Sequence, residues 1–279
     1  MTTTLRPTGP EQHGPDGQRT RTYEVCVNSR PAGTIRLAMD VHFGPTVGRI
    51  IDLRIDEGDR RRGRGTVAAL AAEEVLRGWC CRAIEATVPA SATEALRLAT
   101  VLGYTERNRN MAKKLSGPPP ALPAGTEARP LDEREYAPWL AAAKEGYARS
   151  WIDRGVPADQ ARAKAEADHA ALLPDGPRTP GAILRVLSHG GADVGVLWLS
   201  LAKPLPDDVD GYVFDVEVAA DHRGRGHGRS LMLTAERECL TAGAGRLGLN
   251  VFAGNTPALR LYESLGYEPT RYHLFKPLI

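Results

Sequence analysis

Between Asp221 and Met232 the chain reads DHRGRGHGRSLM, placing Gly224, Gly226 and Gly228 at alternate positions among Arg223, Arg225, His227 and Arg229. The preceding segment, Gly211–Ala219 (GYVFDVEVA), alternates like a strand, and the residues that follow have helical spacing. Strand, glycine-rich turn and helix start together make an anion site. The first N–H groups of a helix have no partner within it, and the helix dipole adds partial positive charge. Glycines let the backbone approach a phosphate, and arginines add charged donors. The chemistry indicated is binding of a phosphate or pyrophosphate. Two familiar phosphate loops do not fit. The G-x-x-x-x-G-K-[ST] loop needs a lysine that is absent, and the spacing 224, 226, 228 is not the dinucleotide G-x-G-x-x-G fingerprint.

The elements that must position this loop occur twice. A fixed shift of 163 places Arg60 on Arg223, Gly63 on Gly226 and Gly65 on Gly228, and carries ALRL (95–98) and LGY (102–104) onto identical blocks. Across residues 52–115 there are 20 identities in 64 positions, which marks a duplicated domain rather than a short-period repeat. In the second copy the loop leads into a helix, then a strand RLGLNVF, a helix NTPALRLYESLGY and a last strand TRYHLFKPL. The first copy predicts a strand at 48–55, a helix to about Gly78, a strand at 83–88, a helix at 92–102 and a strand to Leu115. Upstream the copies differ. The second has helical patterns near 133–150 and 158–173; the first has only a hairpin-like segment, 22–39. The Pro/Gly-rich stretch 116–125 reads as a linker, and residues 1–20 as a disordered polar lead-in.

Composition bounds the classes. At 279 residues with 42% hydrophobic content, two globular domains are comfortable. A net charge of +2 gives no argument for nucleic acid. The run Arg60, Arg61, Arg62, Arg64 has no interleaved aromatics, so a solvated or phosphate-facing loop is the better reading. No apolar run approaches the ~18 residues of a membrane span, and with no apolar leader a cytoplasmic location is expected. Cys26, Cys80, Cys81 and Cys239 lack metal spacing, as do Asp40, His42 and Asp52, so no metal is expected.

The second half resembles the GNAT superfamily of N-acetyltransferases. Its Q/R-x-x-G-x-G/A motif is matched by Arg223–Gly228. Its downstream N-x-x-x-x-N-x-x-A-x-x-L-Y-x-x-x-G-[FY] pattern is matched by Asn250, Asn255, Ala258, Leu261, Tyr262, Gly266 and Tyr267. The two-copy arrangement is similar to that of mycothiol synthase-like proteins. The resemblance implies an α/β (α+β) fold of two tandem GNAT-like domains, each a mixed, mostly antiparallel sheet flanked by helices with a splayed central strand pair. The boundaries expected are 21–115, degenerate and truncated, and 126–279, complete and catalytic.

It further implies acetyl-CoA as co-substrate and a primary amine, on a small molecule or peptide, as acceptor. The loop amides of Arg223, Gly224, Arg225, Gly226, His227, Gly228 and Arg229 would hold the pyrophosphate. The exposed edge Val216–Ala219 would pair with the pantetheine arm, with the Val218 N–H polarising the thioester carbonyl. Asn250 and Asn255 would lie on the CoA side, and Tyr262 would protonate the departing thiolate. Glu217 and Asp215, alternating on one strand face, are candidate bases, Glu217 ranked first; Tyr212 and His273 are further candidates. Arg60, Gly63 and Gly65 make a second CoA-type loop. In that copy Asn250, Asn255, Tyr262 and Glu217 become Thr87, Ala92, Ala99 and Arg54, which implies a non-catalytic half. Acceptor specificity is expected on residues 133–173 and where the halves meet. The competing class is a non-catalytic acyl-CoA sensor. Neither nucleic acid nor membrane is an expected partner, and a monomer or homodimer is expected.

Overall fold

The computed structural model describes residues 2–14, 17–39, 46–203 and 205–278; Asp40 and His42 lie outside them. In chain order the first half contains β1 (Thr3–Pro7), β2 (Gln12–His13), β3 (Arg19–Val27), β4 (Arg30–Met39), β5 (Val47–Ile55), α1 (Arg64–Gly78), β6 (Ala83–Pro89), α2 (Thr93–Val101) and β7 (Thr105–Lys114). The second contains β8 (Thr126–Pro130), α3 (Glu133–Ile152), α4 (Ala158–Leu172), β9 (Ala182–His189), β10 (Ala192–Ser200), β11 (Gly211–Val218), α5 (His227–Thr241), β12 (Arg246–Phe252), α6 (Thr256–Ser264) and β13 (Glu268–Pro277). The chain forms two compact units. The first is Met1–Asn108 with Arg271–Ile279, and the second is Arg109–Thr270.

These units depart from the sequence expectation in two places. Residues 109–115, expected in the first domain, belong to the second unit; residues 271–279, expected in the second, belong to the first. In the first unit the strand order is β1-β3-β4-β5-β6-β13, with β13 antiparallel to β6 from Arg271↔Pro89 to Pro277↔Ala83. In the second it is β7-β12-β11-β10-β9-β8. The segments exchanged are repeat equivalents, MAKKL (111–115) and LFKPL (274–278), with Lys and Leu at matching positions. Each lysine meets a buried glutamate, and the two glutamates are themselves equivalent in the 163-residue register. Lys113 Nζ donates to Glu236 at 2.7 Å in the second unit, and Lys276 Nζ donates to Glu73 at 2.8 Å in the first.

The lead-in expectation is also corrected. Residues 3–7 are an edge strand paired with β3, and Leu5 packs on the first core. An edge strand needs only a row of backbone bonds and one apolar anchor, which polar composition does not reveal.

Each unit buries a helix on one sheet face. Leu231, Met232, Ala235 and Cys239 of α5 pack on Leu197, Val213, Leu247 and Leu249. In the first unit Ala68, Ala72 and Leu76 of α1 meet Ile35, Leu37 and Ile84. A fully buried leucine or isoleucine contributes about 1.5–3 kcal/mol. The opposite faces differ. In the second unit α3 starts with a capping box, Asp132 accepting from the Arg134 amide and Glu135 accepting from the Asp132 amide, and Trp139 packs with Trp198 and Leu184. Among the described residues of the first unit no α-helix precedes β5, and its strands present exposed Arg36, Asp52 and Arg54. A face with no covering helix must be solvated, and the residue types comply.

Candidate active site

The loop expected to bind phosphate turns on two left-handed glycines. Gly226 caps α5 at φ 86°, ψ −1°, with no side-chain cap; of the loop amides expected to hold phosphate, that of Arg223 donates to Ala220 at 3.3 Å and that of Arg229 to Gly226 at 3.0 Å. Gly224 is also left-handed, at φ 76°. Two arginines expected as phosphate donors also shape the loop: Arg223 Nε donates to the Val218 carbonyl at 3.0 Å, and Arg229 Nη2 to Ser264 Oγ at 2.6 Å. Arg225 is exposed. His227 is buried, its ring 5.1 Å from that of His189. Burial first, and then His189, His222 and Arg225, hold its imidazole below the usual range. Gly228 serves packing, because a Cβ there would stand 3.2 Å from Leu261 Cδ2.

Beyond the loop the sheet opens. Parallel pairing of β11 with β12 covers only Gly211↔Leu247 to Val213↔Leu249. On the other edge Trp198 faces Asp215 while Leu199 faces Val213, so Phe214 is an extra, bulged residue. A bulge bends and twists its strand, which carries β11 away from β12. The Ala219 amide donates to Val194 of β10 at 3.0 Å. Strand alternation therefore turns the Val218 N–H to the open edge.

Three ionisable side chains gather here. Tyr262 on α6 is buried, and burial with the nearby Asp215 carboxylate pushes its hydroxyl up to about 12. Asp215 is half-buried opposite Trp198. Burial, and secondly the Glu217 charge, push its carboxyl up to about 7, partly opposed by a Val216 backbone hydrogen bond. Glu217 is exposed. Rings of α3 and α4 cover this face: Trp198 lies 5.8 Å from Trp139 and 5.3 Å from His169, and Trp151 lies 5.2 Å from Phe252. Tyr147 Oη donates to Asp168 at 3.0 Å.

The asparagines take different parts. Asn255 caps α6, accepting from the Ala258 amide at 3.3 Å. Asn250, on the first residue past the last β11–β12 pair, donates through Nδ2 to Asn110 Oδ1 at 2.6 Å. Asn110 Nδ2 donates to Asp207 at 2.6 Å, as does Thr270 Oγ1 at 2.7 Å. Sequence reading missed Asn110, Asp207 and Thr270. Only the polar match of Asn110 with His273 in the 163 register hinted at Asn110. His273, a candidate base, is corrected. It lies in the first unit, its Nδ1 3.1 Å from Thr87 Oγ1, because β13 is exchanged. Tyr212 is buried, which pushes its hydroxyl above the usual range.

The first unit repeats the scaffold. Arg60 Nε donates to the Ile55 carbonyl at 2.8 Å, Gly63 caps α1 at φ 75°, and Arg61 holds the left-handed place of Gly224 at φ 57°. β5–β6 pairing stops at Ile50↔Ala86, beside the extra residue Ile51. Thr87, Ala92, Ala99 and Arg54 stand where the second unit has Asn250, Asn255, Tyr262 and Glu217. All four cysteines are free, and among the described residues no His, Cys, Asp and Glu cluster is placed to hold a metal. No described helix is long and apolar enough to cross a membrane.

A sheet splayed beside a glycine-capped helix, present twice, defines the acyltransferase class built on this α/β fold. A family model described as "Acetyltransferase (GNAT) family" matches residues 5–104 and 139–267; the chain belongs to that family and is an acyltransferase. It is 27% identical over 266 residues to a mycothiol acetyltransferase of Beutenbergia cavernae, covering 91% of this chain and 82% of that protein. It is 28% identical over 152 residues to an uncharacterized N-acetyltransferase, YycN, of Bacillus subtilis, covering 53% of this chain and 96% of the relative. A GCN5-related N-acetyltransferase from Sphaerobacter thermophilus has the same fold, with a TM-score of 0.59 at 21% identity, covering 92% of this chain and 80% of that one.

Proposed function

We propose that the second unit moves the acetyl group of acetyl-CoA to a primary amine by direct attack in a ternary complex, and that the first unit does not catalyse. The observation carrying this reading is the opening of β11 from β12 past Val213, with Val218, Asp215 and Tyr262 at its edges. The loop fits a pyrophosphate, since Gly224 and Gly226 expose amides at a helix start and Arg225 is exposed beside them. Acetyl-CoA when bound supplies the activated acyl group and the thiolate leaving group.

The chain's own groups then divide the work. Asp215 takes a proton from the acceptor ammonium, and Glu217 at the exposed end draws the cation in. A carboxyl poised near neutrality is the better base, so Asp215 now ranks first. The Val218 N–H stabilises negative charge on the carbonyl oxygen. Tyr262, held protonated by its raised pKa, donates to the departing sulfur. Covering rings of Trp151 and Phe252 limit water.

A cysteinyl amine of the mycothiol type is a second acceptor reading, favoured by likeness to a mycothiol acetyltransferase over 91% of the chain. A thiol-release assay with acetyl-CoA across amino sugars, polyamines and cysteinyl amines tests both. Tyr262→Phe is expected to lower kcat about 10²-fold or more with acetyl-CoA affinity retained. Acetyl-CoA binding with no turnover on any amine would sink the catalytic reading and leave a sensor. Native mass spectrometry counts the CoA molecules held, one for a retired first unit and two for a binding one.

A further inference from the structure

His169 on α4 leaves one ring nitrogen unused. Its Nδ1 lies 2.8 Å from the Ala165 carbonyl one turn back, and a carbonyl oxygen only accepts, so Nδ1 carries the hydrogen. Burial, ahead of every other influence, holds the imidazole below its usual range and so neutral at neutral pH. Nε2 is then a bare acceptor. It sits on the side of the ring turned away from the α4 backbone and has no hydrogen-bond partner among the described residues. The residue is only 6% exposed, and an unmet acceptor at that burial is costly unless something occupies it.

The surroundings of the ring define what would complete it. It packs 5.3 Å from the ring of Trp198 and 5.9 Å from that of Tyr147. Trp198 stands opposite Asp215 in the β10–β11 ladder, so the unused nitrogen and the proposed base flank one indole. The indole N–H groups of Trp198 and of Trp139, whose rings are 5.8 Å apart, are enclosed without a partner as well. Neighbouring rings thus hold an unmet acceptor and unmet donors. A hydroxyl suits both, since its hydrogen donates and its oxygen accepts, whereas an ammonium only donates. A second ammonium would also need a carboxylate to itself. Asp168, the nearby candidate, already accepts from Tyr147 Oη at 3.0 Å and Lys164 Nζ at 2.8 Å.

We infer that the acceptor is an amino alcohol whose hydroxyl donates to His169 Nε2 while its primary amine lies at Asp215, with the carbon skeleton between them on the Trp198 indole. His169 then touches the substrate and sets specificity, and it takes no part in the proton transfers. This assignment rests on the reading that the second unit acetylates an amine at Asp215. Discrimination has a simple source: an amine without the hydroxyl leaves Nε2 unmet once it displaces water from the site.

Three ring amines that differ at one position test this on the full-length protein: trans-4-aminocyclohexanol, cyclohexylamine and trans-1,4-diaminocyclohexane. One readout is thiol release with acetyl-CoA. The other is the change in tryptophan fluorescence on adding the amine alone, because Trp139, Trp151 and Trp198 belong to this face and only Trp79, of the four tryptophans, lies in the first unit. The aminocyclohexanol is expected to exceed cyclohexylamine by about tenfold in kcat/KM and in affinity, the effect of one hydrogen bond to a buried group. His169→Phe keeps a ring in place and should bring that ratio within about twofold, chiefly by lowering the value for the aminocyclohexanol. His169→Gln, whose side-chain oxygen can stand in for Nε2, should restore part of it. A wild-type ratio under about twofold, a ratio that survives His169→Phe, or a preference for the diamine overturns the inference, as does failure of all three amines to bind. Hydroxyl-dependent binding without acetylation of any amine would sink the transferase reading and leave the hydroxyl recognition standing. Should His169→Phe not fold, nitrogen NMR of the wild-type imidazoles decides. The His169 Nε2 resonance should move on adding the aminocyclohexanol and stay in place with cyclohexylamine; the same response to both overturns the assignment.

Discussion

The proposed base and acid, Asp215 and Tyr262, lie in one partly buried neighbourhood. Burial acts on both, but with different consequences at neutral pH. It leaves the phenol protonated at about 12 and brings the carboxyl to about 7. For activity the sign is direct: kcat/KM for the amine should rise as pH increases through about 7, and Asp215→Asn should flatten that limb. For stability it runs the other way. The native carboxyl keeps its proton to higher pH than the unfolded chain's, whose ordinary value is 3.8. The group's contribution is therefore full below about pH 4 and lost as pH rises through about 7. Asp215→Asn should raise Tm most at pH 8, less at pH 5 and little at pH 4; a gain that shrinks as pH rises would contradict this. Asp215 and Glu217 were both legible as strand carboxylates, but their order was not, because ranking them requires knowing that Trp198 stands opposite Asp215.

At the scale of elements, the strand–loop–helix unit was readable because its requirements are local. Gly226 sits where a Cβ is disfavoured, and the helix start follows at once. Gly226→Ala should cost about 1 kcal/mol or more of stability and weaken acetyl-CoA binding, read by denaturant midpoint and calorimetry. Gly63→Ala meets the same conformational demand at φ 75° and should destabilise comparably with no loss of turnover. Loss of turnover in that variant would argue that the first unit takes part in catalysis. The splay itself was expected from resemblance, but its cause was not visible. A bulge at Phe214, matched by one at Ile51, depends on how β10 and β4 register against their partners. Edge strand β1 escaped for a related reason, since most of what holds it is backbone.

For the whole molecule, the strands near the two carboxyl ends of the copies decide what counts as a unit. Lys113 neutralises buried Glu236 in the second unit, and Lys276 does the same for Glu73 in the first. Lys113→Met should destabilise the second unit by on the order of 2 kcal/mol, because it strands a buried carboxylate. Hydrogen exchange should then quicken in α5 and β12 and leave α1 unchanged, with Lys276→Met giving the converse. Equal loosening of α1 and α5 by either change would refute the assignment. By itself the sequence determined the duplication, the paired glycine loops, the order of elements after each loop and the loss of the motif residues from the first copy. Each of these is written in local spacing or in the 163-residue register. Tertiary structure alone decided which unit owns residues 109–115 and 271–279, and hence that Asn110 serves the second unit while His273 serves the first. The two segments carry Lys and Leu at equivalent positions, so their local sequence satisfies either sheet. Only the packed chain selects between them.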